Sequence, residues 1–297
     1  MELVLLRFAS LVAISLIYML FDVFNRRNIP SSFAYASVAY GVVLTLLYFN
    51  TALIAESAAI ALLVLGIGYL LYKYGQLGAA DITEFAALSL IMPFQSVPLL
   101  YNANQLGLPL MISLIINSGI ASFFIIIVYY LPKAKLHAKK PLLSFISQYD
   151  LIKATIIAFA YLLFLLFLSH YTGFYLPGII MLSLIAIVSV LIMLFEKPLT
   201  NTMISYVSFK DFEPGDILAF NLMDQSEISR LKKRIPSFNR LIDEKLIAEM
   251  KRQKIRTKFP VYKEAMPLAL PIFIGVCISL LLGDVILMML PFMYLLP

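Results

Sequence analysis

Long apolar runs, each bounded by a few polar, proline or glycine residues, follow one another along most of this 297-residue chain. A helix needs about 20 mostly apolar residues to cross the hydrocarbon core of a bilayer. Eight runs reach or approach that length, at 3–24, 32–50, 53–73, 82–100, 108–131, 151–169, 175–195 and 266–291. The pattern predicts an all-α polytopic membrane protein of about eight transmembrane helices. It is interrupted over 198–262, where polar residues dominate and the periodicity becomes mixed. The chain is therefore expected to comprise a membrane domain over 1–197, a small mixed cytoplasmic domain over 198–262, and a last membrane helix within 263–297. In the polar stretch, "MISYVSFKD" and "GDILAF" read as short strands around a Pro214-Gly215 turn. Asp224 with Glu227 reads as a helix start. Phe238, Leu241, Ile242, Leu246 and Met250 fall on one face if their segment is a helix.

Composition agrees with a membrane class. Hydrophobic residues make up 62% and charged residues 13% of the chain, against roughly 45–50% and about 25% in a soluble domain. The opening "MELVLLRFAS" lacks a small-residue cleavage site after a short apolar core, so the first run is expected to be retained as a helix. Charge then orients the bundle. All basic residues but Arg7, 22 of the 23, fall in loops on one side: Arg26, Arg27, Lys73, Lys133 to Lys140, Lys153 and everything from Lys197 to Lys263. The positive-inside rule places that side, with the polar domain, in the cytoplasm and both termini outside the cell membrane. The net charge of +6 follows from this topology and does not call for a nucleic-acid partner. A basic cytoplasmic face suits anionic membrane lipid. The lone Cys277 and the two histidines, His137 and His170, exclude a disulfide framework and give no basis for a metal site. No glycine-rich loop ends in Lys-Ser/Thr, so no nucleotide is expected, and no cofactor.

An ionisable residue in a span is a functional candidate by default. Five acids lie in or at the spans: Asp22, Glu56, Asp81, Glu84 and Asp284. The first span runs inward and the fourth outward, so Asp22 and Asp81 share one depth at the cytoplasmic edge. Glu84 lies one turn deeper than Asp81. Glu56 and Asp284 belong to the far side, Asp284 after about 27 Å of rise in the last span. Two carboxylates at one depth on separate helices suit aspartyl protease chemistry, in which a close pair shares a proton. Ordinary alternatives exist for each. Asp22 can pair with Arg26 or Arg27, and Asp81 can be a helix N-cap with Glu84 as its capping-box partner.

Three motifs carry a resemblance. "FDVFNRRNIP", Phe21 to Pro30, resembles the aspartate followed by Arg-rich residues and Ile-Pro in type IV prepilin peptidases. "LGAAD", Leu77 to Asp81, is similar to the GxGD motif of the same enzymes and of presenilin-type intramembrane proteases. "MPLALPIFIGVCISLLLGDVILMMLPF", from Met266, is similar to the last helix of archaeal preflagellin peptidases, Gly283-Asp284 included. The resemblance implies a membrane aspartyl endopeptidase that removes a short basic leader from prepilins or preflagellins on the cytoplasmic side, with Asp22 and Asp81 at the catalytic positions. Two departures stand out. Ala80 replaces the second glycine of GxGD, leaving Gly78. The family core has about six helices, and the hairpin at 151–195 is taken as the addition. One cysteine cannot build the paired CxxC site of the bacterial enzymes, so no methyltransferase activity is expected.

Three further positions are candidates for support or substrate binding. Glu84 acts either as a capping partner or on the pair and a basic leader. Pro267 and Pro271 are expected to loosen the start of the last helix and expose backbone groups to a substrate strand. A presenilin-like protease that cuts inside transmembrane segments uses the same acids. A proton- or cation-coupled transporter is disfavoured, because no repeat is visible and the acids lie at the edge instead of the midplane.

Overall fold

The structure, a computed structural model, describes residues 2–25, 28–47, 50–92, 109–137, 141–172, 176–235, 237–253, 258–263 and 267–285. In chain order the described helices are α1 (Glu2–Phe24), α2 (Ser31–Leu46), α3 (Thr51–Lys73), α4 (Ala79–Ile91), α5 (Leu110–Ile125), α6 (Leu131–His137), α7 (Gln148–Thr172), α8 (Leu176–Leu194), α9 (Glu196–Met203), α10 (Gln225–Arg234), α11 (Glu244–Arg252) and α12 (Ala269–Leu282). A π-helical turn, Ile126–Tyr130, carries α5 into α6. Three short 3-10 turns, Leu142–Phe145, Phe209–Asp211 and Phe220–Leu222, and two strands, β1 (Ser205–Ser208) and β2 (Lys258–Val261), complete the described elements.

Four helical stretches are long and apolar enough to cross a membrane: Leu3–Phe24, Thr51–Lys73, Leu110–Leu136 and Gln148–Phe167. A fifth is formed if α8 and α9, bent by 71° at Phe195, count as one span. This is consistent with a mostly helical polytopic membrane protein. The runs at 32–50, 82–100 and 266–291 yield shorter described helices, α2, α4 and α12. The second half of 82–100 lies outside the described residues, as does the end of 266–291.

The end of α12 departs from expectation for a clear reason. Gly283 has a φ of 80°, a left-handed conformation that glycine adopts without a Cβ penalty. The helix stops there, so Asp284 stands past a break and not within a continuous helix. Asn117 of α5 secures the break. Its Nδ2 donates to Gly283 O at 2.8 Å and to Ser279 Oγ at 2.9 Å, and its Oδ1 accepts from Val285 N at 3.3 Å. An apolar run does not register such a stop, because one glycine and one aspartate among so many apolar residues leave the mean hydropathy of the run high.

The chain divides into two compact units. One comprises Met1–Leu65, Ala80–Leu199 and Pro267–Pro297. Its core joins Leu11 of α1, Leu44 of α2, Leu88 and Ile91 of α4, Leu110 and Leu114 of α5, and Ile272, Val276 and Leu280 of α12. α12 packs chiefly on α5 and then on α1. The α5–α12 contact is close because Gly275 has no side chain. A Cβ there would meet Ser118 N at 2.8 Å and Ser118 Cα at 3.0 Å. Small residues at helix contacts permit this approach in membranes, where apolar burial alone favours no partner over lipid. α7 packs on α8 and turns Leu162, Leu163 and Leu166 outward. At the start of α7, Ser147 and Asp150 form a capping box. Asp150 N donates to Ser147 Oγ at 3.2 Å and Ser147 N donates to Asp150 Oδ2 at 3.0 Å. Lys197 reaches the same carboxylate at 2.9 Å.

The second unit comprises Gly66–Ala79 and Thr200–Met266. β1 pairs antiparallel with β2, Ser205 opposite Val261. The hairpin expected around Pro214-Gly215 does not form. Beyond the turn, Leu218 N donates to Arg240 O and Ile242 N to Asp216 O, both at 2.8 Å. Ile217 and Leu218 make isolated bridges to Leu241 and Val261 instead of pairing with β1. The helix expected through Phe238 and Met250 is shorter too. Asp243 caps α11, its carboxylate accepting from Leu246 N, so Phe238 and Ile242 reach the core from extended chain while Leu246 and Met250 do so from the helix. Asp224 is the N-cap residue of α10 but makes no side-chain cap bond.

Gly275→Val should cost about 1–3 kcal/mol through overpacking against Ser118. The readout is a lower unfolding temperature in detergent. Gly119→Ala on α5, where an added Cβ meets nothing within 4 Å, should leave that temperature unchanged or slightly higher.

Candidate active site

Asp22 lies in the last turn of α1 and is only 7% exposed. A carboxylate at a helix C-terminus opposes the helix dipole. The first N–H groups of α12 raise the complementary problem, since they have no intrahelical acceptors. Leu268, the N-cap residue of α12, supplies no side-chain bond. Asp22 supplies it: its Oδ2 accepts from Ala269 N at 3.0 Å in a buried contact. Pro271 lies in the first turn of α12, where a missing N–H removes no helix bond. The prolines therefore leave α12 regular from Ala269 onward, and the backbone donor at its start is engaged by Asp22.

Asp81 sits in the first turn of α4 and is half-buried. The turn before it is set by Gly75, with φ of 63°. Gln76 N donates to Leu71 O at 2.9 Å and Gly75 N to Tyr72 O at 2.7 Å, a Schellman end to α3. α4 begins at Ala79, so Asp81 is inside the helix and is not its N-cap. Glu84, one turn further, is fully buried, and neither of its oxygens has a hydrogen-bond partner among the described residues. Ser147 and Asp150 show what a capping box looks like in this chain; Asp81 and Glu84 do not form one.

The charges of Asp81 and Asp22 both act on the Glu84 carboxyl, Asp81 the more strongly. Asp22 on α1 and Asp81 on α4 thus each act electrostatically on the same buried side chain. Tyr18, one turn before Asp22 on α1, completes the surroundings. It is fully buried and its hydroxyl lies 2.8 Å from Ser37 Oγ. Ser37 in turn donates to Ala34 O at 2.7 Å, which leaves Tyr18 as donor in that pair. The Thr83 hydroxyl donates elsewhere, to Ala80 O, and Glu84 acts on the Tyr18 hydroxyl electrostatically. Tyr18, Ala34 and Ala269 form an apolar cluster with Phe33 and Ile29 around these groups.

Of the remaining candidates, Ala80 accepts from Thr83 Oγ1 at 2.8 Å through its carbonyl, and Gly78 precedes α4 and is exposed. Glu56 is exposed on α3. Arg26 and Arg27, the alternative partners for Asp22, lie outside the described residues. No group of three or more His, Cys, Asp or Glu side chains among the described residues is placed to hold a metal ion. Sequence reasoning did not find Tyr18, Ser37, Thr83 or the Ala269 N–H. For Tyr18 a signal existed: it stands four residues before Asp22, on the same helix face.

Fold and site together define a polytopic membrane protein with buried acids on two helices. Residues 9–131, which span α1 to α5 with Asp22, Asp81 and Glu84, match the model of the type IV leader peptidase family. The match covers 123 of the 297 residues, and over that segment the chain is similar to type IV leader peptidases. Neither the curated proteins nor the solved structures provide a significant match.

The Asp22–Ala269 contact predicts a stability difference that does not depend on activity. Asp22→Ala should lose about 1.5–3 kcal/mol, the range for a hydrogen bond to a charged group. Asp22→Asn keeps an acceptor oxygen and should lose about 1 kcal/mol. Unfolding of the two variants in detergent, compared with wild type, measures both.

Proposed function

We propose that the chain is a membrane aspartyl endopeptidase that removes the short basic leader of prepilins or preflagellins at the cytoplasmic membrane face, with Asp22 and Asp81 as its catalytic pair. The observation that supports this reading most is the match of residues 9–131, which hold Asp22 and Asp81, to the type IV leader peptidase family; the charges of both aspartates act on the buried Glu84. In the proposed reaction the ionised member of the pair takes a proton from water as the water oxygen attacks the scissile carbonyl carbon. The protonated member gives its proton to the carbonyl oxygen. Collapse of the tetrahedral intermediate breaks the C–N bond. A proton passes to the leaving amine, and the pair returns to one proton and one charge. The Ala269 N–H fixes one Asp22 oxygen and so orients that carboxylate. The charge pattern of the loops supports a topology with both termini outside, about eight spans, and the unit built on 200–266 in the cytoplasm. In that topology the pair faces the compartment where leader-bearing precursors are made.

The test is cleavage of a leader-bearing precursor in cells or in detergent. Asp22→Asn and Asp81→Asn should each slow leader removal by about 10²–10⁴-fold, the usual contribution of a positioned acid or base. Wild-type cleavage by either variant removes it from the pair. The position of the cut separates this reading from a presenilin-like one: the leader boundary in the first case, the interior of the apolar segment in the second.

A further inference from the structure

Glu84 has no structural reason to be an acid. It is fully buried, both oxygens lack hydrogen-bond partners among the described residues, and the helix around it, Ile82 and Ala86 to Ile91, is core. A leucine or methionine there would leave no polar group unsatisfied. Capping does not explain it, because Glu84 lies past the first turn of α4. Three groups interact with it electrostatically: the Asp81 and Asp22 carboxyls and the Tyr18 hydroxyl of α1. A carboxyl buried without a partner can satisfy a neighbouring carboxylate only as the neutral acid, whose O–H is a hydrogen-bond donor.

We propose that Glu84 is a positioning residue of the acid pair, a neutral carboxylic acid whose O–H donates to the Asp81 carboxylate when substrate occupies the site. This rests on the assignment of Asp22 and Asp81 as the pair. Glu84 lies three residues beyond Asp81 on the same face of α4, where its O–H can reach that carboxylate. Here that donor is not engaged. Asp81 lies in the first turn of α4 and Glu84 three residues on, so a rotamer change of either side chain alters the distance between the two carboxyls. Engagement would satisfy the buried acid and lock the Asp81 carboxylate in one orientation toward the scissile bond.

The experiment compares full-length wild type, Glu84→Gln, Glu84→Leu and Asp81→Asn on one leader-bearing precursor, reading kcat, KM and unfolding temperature. Glutamine keeps a donor, so Glu84→Gln should retain kcat within about 3-fold. Glu84→Leu should lose at least about 10-fold in kcat with KM within about 2-fold, at an unfolding temperature equal to or above wild type. A Glu84→Leu variant with wild-type kcat overturns the proposal. So does one that loses kcat only in step with its unfolding temperature. If the leucine variant does not fold, Glu84→Gln decides: retained kcat supports the donor role, and a loss as deep as that of Asp81→Asn overturns it. Wild-type cleavage by Asp81→Asn sinks the acid-pair reading and this inference with it. An inactive Asp81→Asn beside a fully active Glu84→Leu sinks this inference alone.

Discussion

The hydrogen bond from Ala269 N to Asp22 Oδ2 joins residues 247 positions apart and holds the first and last described helices at one point. Each partner brings a debt that the apolar bundle cannot settle with water. α12 starts with backbone donors that need acceptors, and Asp22 is a carboxyl at the wrong end of a helix dipole. Each group answers the other. α12 is in turn fixed along its length, by the close contact at Gly275 and by Asn117 across its end. Displacement of α12 would therefore disturb the orientation of Asp22 directly. The family match ends at residue 131, before α12 begins. The matched segment supplies the acids, but a donor that orients one of them comes from the far end of the chain.

The same constraint explains what was legible in the sequence. Apolar length located helices well where a run ends in charge or polar residues, as α1 does before Asn25 and α3 at Lys73. Charge asymmetry assigned Asp22 and Asp81 to one depth, and in the structure the charges of both act on Glu84. Features that depend on backbone partners were not legible. A carbonyl or N–H carries no mark in the sequence, so neither the Ala269 donor nor the Gly283 break could be read from hydropathy. Capping was misplaced for a related reason. Ser147 and Asp150 have the right spacing and form the box, whereas Asp81 and Glu84 have the same spacing three positions too far into their helix. Spacing alone does not say where a helix begins.

In the second unit the strands "MISYVSFKD" and "GDILAF" were recognised as extended, yet their pairing was not. Local turn chemistry favoured a hairpin at Gly215, and Gly215 does adopt a φ of 98°. The longer-range bonds of 216–218 with 240–242 take the strand edge that the hairpin would have used. The buried set Phe238, Ile242, Leu246 and Met250 was legible for what it buries and not for how it is built, since extended chain and helix can deliver side chains to one core.

Ala80 shows how a departure from a motif can be physically neutral. The GxGD pattern suggests that a glycine is needed for an unusual backbone angle before the aspartate. Here Ala80 lies inside α4, where helical angles are the ones alanine favours, and its carbonyl is used by Thr83. The left-handed residue is Gly75, at the end of α3, where an added Cβ would meet Ile217 and Arg240 at 3.5 and 3.6 Å within its own unit. That space is ordinary, so the backbone angle is the main constraint on Gly75. The conformational freedom that lets the chain turn and start α4 with Asp81 in its first turn therefore resides five residues upstream of Ala80. Position 80 has only to be small enough to follow the helix.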